Sequence, residues 1–259
     1  KVMIYVMIRM VLSVFGVEFS FESTIWVSWM PWLVVIAIVC AAFLALSQRE
    51  IKRMLAYLIV AEVGYMVGGV WIYNYYGLIG SIFHIISDAC MTLCLFLGAG
   101  IILHKCKTTH FDGLRGLFSK MPLTMIGFFI GGFSIIGLPP TCGFFSKWYL
   151  ITGGMVSGRW EYLIVLMFST MVMVILFFRL IERIHLAVDE SGKNLGKGHG
   201  DLGLTKEQTR FDEAPLVMLI PLLIAASTVL IIGVYNQEVV NQIETFLKAY
   251  DLPTGVVYK

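Results

Sequence analysis

The chain has 259 residues, of which 58% are hydrophobic and only 14% charged, with a net charge of +2. Soluble domains carry about 25% charged residues, and the mean hydropathy here is +0.84. A soluble enzyme or nucleic-acid-binding module is excluded; the charges cluster between long apolar runs, which points to an all-α polytopic membrane protein.

At about 20 residues per crossing, the apolar runs predict seven transmembrane helices, at 1–17, 31–47, 54–73, 77–103, 122–154, 160–185 and 215–235. Lys1 leads straight into VMIYVMIRMVLSVFG, without an initiator methionine or a signal-peptide pattern. Such a start reads as the second half of a helix, so further chain upstream is expected. The fifth run contains GLPPTCGFFSKW. Pro139 and Pro140 lack backbone donors and cannot continue a regular helix. A helix break at Gly137, Pro139, Pro140 and Gly143 is therefore expected. Each half is too short to cross alone, so the run counts as one broken crossing. Backbone freed at membrane depth has to be satisfied by protein or water.

The segment 187–213 is polar and glycine-rich, and its His199 is expected to be solvated. Beyond the last span, Val239, Val240, Ile243, Phe246, Leu247 and Tyr250 form a helical stripe, suited to the interface or to a partner. The expected organisation is a transmembrane domain at 1–236 and a short amphipathic segment at 237–259. Trp26, Trp29 and Trp32, then Tyr73, Tyr75 and Tyr76, then Trp160 and Tyr162, fall where interfacial aromatics are expected. With alternating sides, twelve lysines and arginines fall in or beside the turns at 48–53, 104–120 and 186–213, against Arg159, Lys248 and Lys259 opposite. The basic turns are expected to face the cytoplasm, across a cytoplasmic (inner) membrane. The five cysteines form no CxxC pair, and no phosphate-binding glycine loop is present. No metal site, no cofactor and no catalytic centre are expected.

Ionisable groups inside spans cost roughly 2.5–3.5 kcal/mol each and mark function by default. Glu62 lies about 12 Å into the third span. Asp88 lies at similar depth in the fourth, one turn from His84, and Lys147 follows the break. Together they suggest a row of protonatable groups near the midplane. Arg9 and Arg179 lie near span ends and are expected to snorkel.

Three stretches carry a family resemblance: SQREIKRMLAYLIVAEVGYM, IFHIISDACMTLCLFLGAGIILHK and GGFSIIGLPPTCGFFSKWYL. They resemble signature regions of the antiporter-like subunits shared by respiratory complex I, membrane-bound hydrogenases, formate hydrogenlyases and Mrp-type sodium/proton antiporters. The GLPP block is most similar to the Mrp D-type and hydrogenase-type branch. The resemblance implies the C-terminal half of a fourteen-helix fold built from two inverted repeats. It gives Lys147 the role of exit-side proton carrier, matches His84 to a relay histidine and Lys1 to the mid-axis lysine. Glu50 stands where the family usually has an aspartate. Asp88 replaces a common second histidine, Thr92 a common lysine, and Glu62 a common glutamine or other polar residue. The implied partners are other membrane subunits, neighbouring antiporter-like subunits among them, within the lipid bilayer and without nucleic acid. Proton or Na+/H+ translocation along Lys1, Glu50, Glu62, His84, Asp88 and Lys147 is the leading expectation. A non-conducting scaffold subunit is the alternative, since Thr92 removes a cationic relay.

Overall fold

The structure, a computed structural model, describes residues 1–21, 26–107, 110–111, 117–185 and 213–248. His199 and Tyr250 lie outside these residues. The described chain is helical: α1 (Val2–Arg9), which continues through a π-type turn at Met10–Val14, α2 (Val17–Phe21), α3 (Trp26–Ser47), α4 (Ile51–Trp71), α5 (Tyr75–Cys106), α6 (Leu117–Lys120), α7 (Pro122–Ile136), α8 (Cys142–Val156), α9 (Trp160–His185), α10 (Leu216–Val234) and α11 (Asn236–Leu247). Five of these helices, α3, α4, α5, α9 and α10, are long and apolar enough to cross a membrane, while Val2–Val14 and Pro122–Ile136 are shorter apolar helices.

Local chemistry places the helix ends. α3 carries Pro31 in its second turn, where the missing N–H forfeits the backbone bond to the Val27 carbonyl. α5 starts at Asn74, whose Oδ1 accepts from the Gly77 amide at 2.6 Å. The same side chain donates from Nδ2 to the Gly153 carbonyl at 2.6 Å, so one cap also fastens α8. α5 has 32 residues, roughly 48 Å, and extends past a hydrocarbon core of about 30 Å.

α5 is the spine of the bundle, with α4, α7, α8 and α10 packed against it, while α3 pairs with α4 and α9. This centrality brings the polar residues of α5 face to face with those of α4 and α8. α11 buries Val240, Ile243 and Leu247 against the bundle, in a cluster with Ile79 and Phe83 of α5. Trp29, Trp32 and Trp160 are exposed at helix ends. Tyr162 departs from the expected interfacial position. It is fully buried, and its hydroxyl donates to the Tyr65 carbonyl at 2.8 Å, because a buried tyrosine keeps its place in the core by finding an acceptor.

Candidate functional site

The break between α7 and α8 follows from backbone donors. In an α-helix the Ile135 carbonyl would accept from residue 139. That residue is Pro139, which has no N–H. The chain turns instead at Gly137, in the left-handed region at φ 92, where glycine carries no Cβ penalty. The Gly137 and Leu138 amides both donate to Phe133 O at 3.0 Å. The Ile135 carbonyl is left for another partner, and the Lys147 ammonium of α8 donates to it. Gly143 lies one residue inside α8, where the Ser134 backbone approaches so closely that a Cβ would collide with it.

Lys147 is 4% exposed, and Glu62 and His84 are fully buried. These three meet. His84 Nε2 stands 2.6 Å from Glu62 Oε2, and Lys147 Nζ stands 3.3 Å from Glu62 Oε1. The second approach is an ion pair rather than a directed hydrogen bond, as that oxygen has no hydrogen-bond donor aimed at it. The Tyr65 ring lies 5.1 Å from the ammonium, a cation–π contact. Met173 Sδ lies 3.7 Å from it. On the far side of the imidazole, His84 Nδ1 is 2.8 Å from Ser146 Oγ, and that hydroxyl also reaches Gly143 O at 3.1 Å.

The serine hydroxyl has one proton to give. Directed at Gly143 O, it leaves its oxygen to accept from Nδ1–H, and with Nε2–H on Glu62 the ring carries both protons. Directed at Nδ1, it matches a neutral ring that donates to Glu62 through Nε2. The triad thus accommodates two proton loadings with one rotor change. A carboxylate between a lysine and a histidine, enclosed in apolar helices, can exchange protons with either neighbour.

Asp88, also fully buried, lies one turn from His84 on α5 but is paired with the Lys1 ammonium, not with the triad. Its Oδ1 has no hydrogen-bond partner. Thr92 donates to the Asp88 carbonyl, so its hydroxyl is spent on its own helix. The structure does not bring Glu50 into this row. Glu50 sits at the start of α4, paired with Arg53 at 3.2 Å and His110 at 3.3 Å. Among the described residues, no group of three His, Cys, Asp or Glu could hold a metal ion.

Sequence reasoning missed Ser146, Tyr65, Met173 and the Ile135 carbonyl. Tyr65 is one turn from Glu62, and Ser146 directly precedes Lys147, yet no pattern in the sequence says that they face the same site.

The family described as NADH:quinone oxidoreductase/Mrp antiporter, TM, matches residues 1–174. NADH-quinone oxidoreductase subunit N of Desulforudis audaxviator is 34% identical over 223 residues, covering 86% of this chain and 44% of that protein. The Mrp complex from Dietzia sp. DQ12-45-1b contains a chain of the same fold, with a TM-score of 0.78 at 19% identity, covering 96% of this chain and 51% of that one. The membrane-bound sulfane sulfur reductase, an archaeal respiratory membrane complex, contains another, with a TM-score of 0.77 at 24% identity, covering 95% of this chain and 46% of that one. The chain thus spans about half the length of the relatives that it matches. It is a multi-pass membrane protein that belongs to the NADH:quinone oxidoreductase/Mrp antiporter transmembrane family.

Proposed function

We propose that this chain is the ion-translocating part of a membrane subunit in a multi-subunit redox-driven or antiporter complex. It moves protons, or exchanges Na+ for H+, beside other membrane subunits of that complex. The observation that carries this is Glu62 held between His84 and Lys147, buried at the point where the α7–α8 helix is broken. A proton arriving at the Lys1–Asp88 pair passes to His84, then to Glu62 and Lys147. From Lys147 it leaves through the break, whose freed carbonyls and half-helix dipole favour a mobile cation. Glu50 stands off this path by its position.

Further proposals follow from the same family membership. Val2–Val14 and the α7–α8 unit would complete seven crossings with the five long helices, as the C-terminal half of a fourteen-helix fold. Residues 1–236 would form the transmembrane domain and 237–259 the short amphipathic segment. The basic turns around 48–53, 104–120 and 186–213 would face the cytoplasm across the cytoplasmic membrane. The test is Lys147→Ala in the full-length subunit within its complex. Loss of ion pumping in vesicles, with assembly retained, is expected; unchanged pumping overturns the assignment. A scaffold subunit is the second possibility, favoured by Thr92, whose hydroxyl leaves that point of α5 without a cation.

A further inference from the structure

At the end of the bundle that carries the basic turns, three arginines converge. Arg49 follows α3, and Arg179 and Arg183 lie one turn apart near the end of α9. With Phe111 they line a cavity of about 220 Å³. Its walls are fixed by backbone and ring contacts. The Phe111 amide donates to Arg49 O at 3.1 Å, the Arg179 guanidinium lies 5.8 Å from the Phe111 ring centre, and Arg179 Nη1 reaches the Leu46 carbonyl at 3.5 Å. None of the described lining residues is acidic. Of the carboxylates adjacent in sequence, Glu50 is engaged with Arg53 and His110, and Glu182 is exposed.

A second observation says what kind of anion fits. Phe168, Ile175 and Arg179 recur at spacings of seven and four, so they share one face of α9. Phe168 meets Phe43 of α3 at 5.8 Å, and Phe43, Phe168 and Ile175 are all exposed. An apolar seam between α3 and α9 therefore leads along the bundle surface up to the arginines. Arg179 lies six residues before the end of α9, roughly 9 Å, which suits the level of lipid phosphates. Guanidinium forks grip phosphate bidentately, and basic pockets between membrane helices take anionic headgroups. By contrast, the apolar crevice of about 310 Å³ among α6, α7 and α9 has no cation among its described lining residues.

We propose that this is a binding site for an anionic glycerophospholipid, its phosphate held by Arg49, Arg179 and Arg183 and an acyl chain laid on the Phe43–Phe168 seam. The full-length protein in its complex is extracted, washed in detergent, and reconstituted with phosphatidylglycerol or phosphatidylcholine. Retained lipid is then counted by native mass spectrometry. The wild type is expected to retain phosphatidylglycerol at least tenfold over phosphatidylcholine. Arg179→Gln with Arg183→Gln is expected to abolish that preference, and Arg49→Gln to weaken it several-fold. Lys52→Gln, an equal loss of charge on the same turn, is expected to leave it intact. Equal retention of the two lipids overturns the proposal, as does an unaffected double variant or an equal effect of Lys52→Gln. Displacement of the lipid by millimolar inorganic phosphate also overturns it, in favour of a free-anion site. Should the double variant not assemble, Arg49→Gln decides, since Arg49 is exposed at the rim. Ion pumping is read separately, so this outcome and that of Lys147→Ala stand apart.

Discussion

Two ion-paired centres sit one turn apart on α5, and they are built differently. The Glu62–His84–Lys147 centre is closed: both Glu62 oxygens face a cationic or protonatable neighbour, and the side chains are 0–5% exposed. The Lys1–Asp88 centre is open: the Lys1 side chain is 26% exposed, and the ion pair reaches only one Asp88 oxygen. The difference teaches where energy is stored. In the closed centre every charge depends on a neighbour, so moving one proton disturbs three groups. In the open centre the aspartate depends on Lys1 alone, and that lysine is only partly enclosed.

The sharpest way to break this comparison is to remove Lys147. Lys147→Met leaves Glu62 buried without its cation, and a loss of about 3–5 kcal/mol is expected, read as a lowered melting temperature of the complex. Adding Glu62→Gln to Lys147→Met is expected to recover most of that stability while pumping stays lost. Recovery of pumping with stability would show that the triad is structural only. Next comes Ser146→Ala, which strips His84 Nδ1 of its partner at a cost of about 1–3 kcal/mol. The pH profile of ion pumping is expected to move, and Ser146→Thr to restore it; a purely structural serine would lower stability and leave the profile in place.

Asp88→Asn probes the open centre. Because the Lys1 side chain is partly exposed, a stability loss of only about 1 kcal/mol is expected, with pumping slowed several-fold in vesicle assays. If Asp88→Asn destabilises as much as Lys147→Met, the two centres are alike and the contrast fails. The smallest effect is expected for Glu50→Gln, which disturbs a rim network with Arg53 and His110. Up to about 1 kcal/mol is expected, with pumping unchanged; a pumping defect would return Glu50 to the path.

Much of the site was legible in the sequence, for local reasons. Glu62, His84, Asp88 and Lys147 stood out because charge within an apolar run is costly wherever the helix goes. Their partners were not legible. Glu62 and Asp88 looked equivalent by depth, yet one takes Lys147 and the other Lys1. That choice depends on how α4, α5 and α8 are rotated about their axes, which hydropathy does not encode. Tyr162 shows the same limit: at a helix start beside Trp160 it matched an interfacial tyrosine, but α9 turns it inwards to the Tyr65 carbonyl.

By itself the sequence determined the class of protein, the apolar helices and the break. Apolar length and the missing N–H groups of Pro139 and Pro140 are properties of the chain alone. Only the tertiary structure decided which group takes up the carbonyl that the break frees. The carbonyl that Pro139 cannot bond is claimed by Lys147, and the lysine thereby faces Glu62. The physical reason is that a freed acceptor in an apolar surrounding takes the nearest donor that packing presents. Which donor that is depends on the approach of α8 to α7, through contacts such as that of Gly143 with the Ser134 backbone.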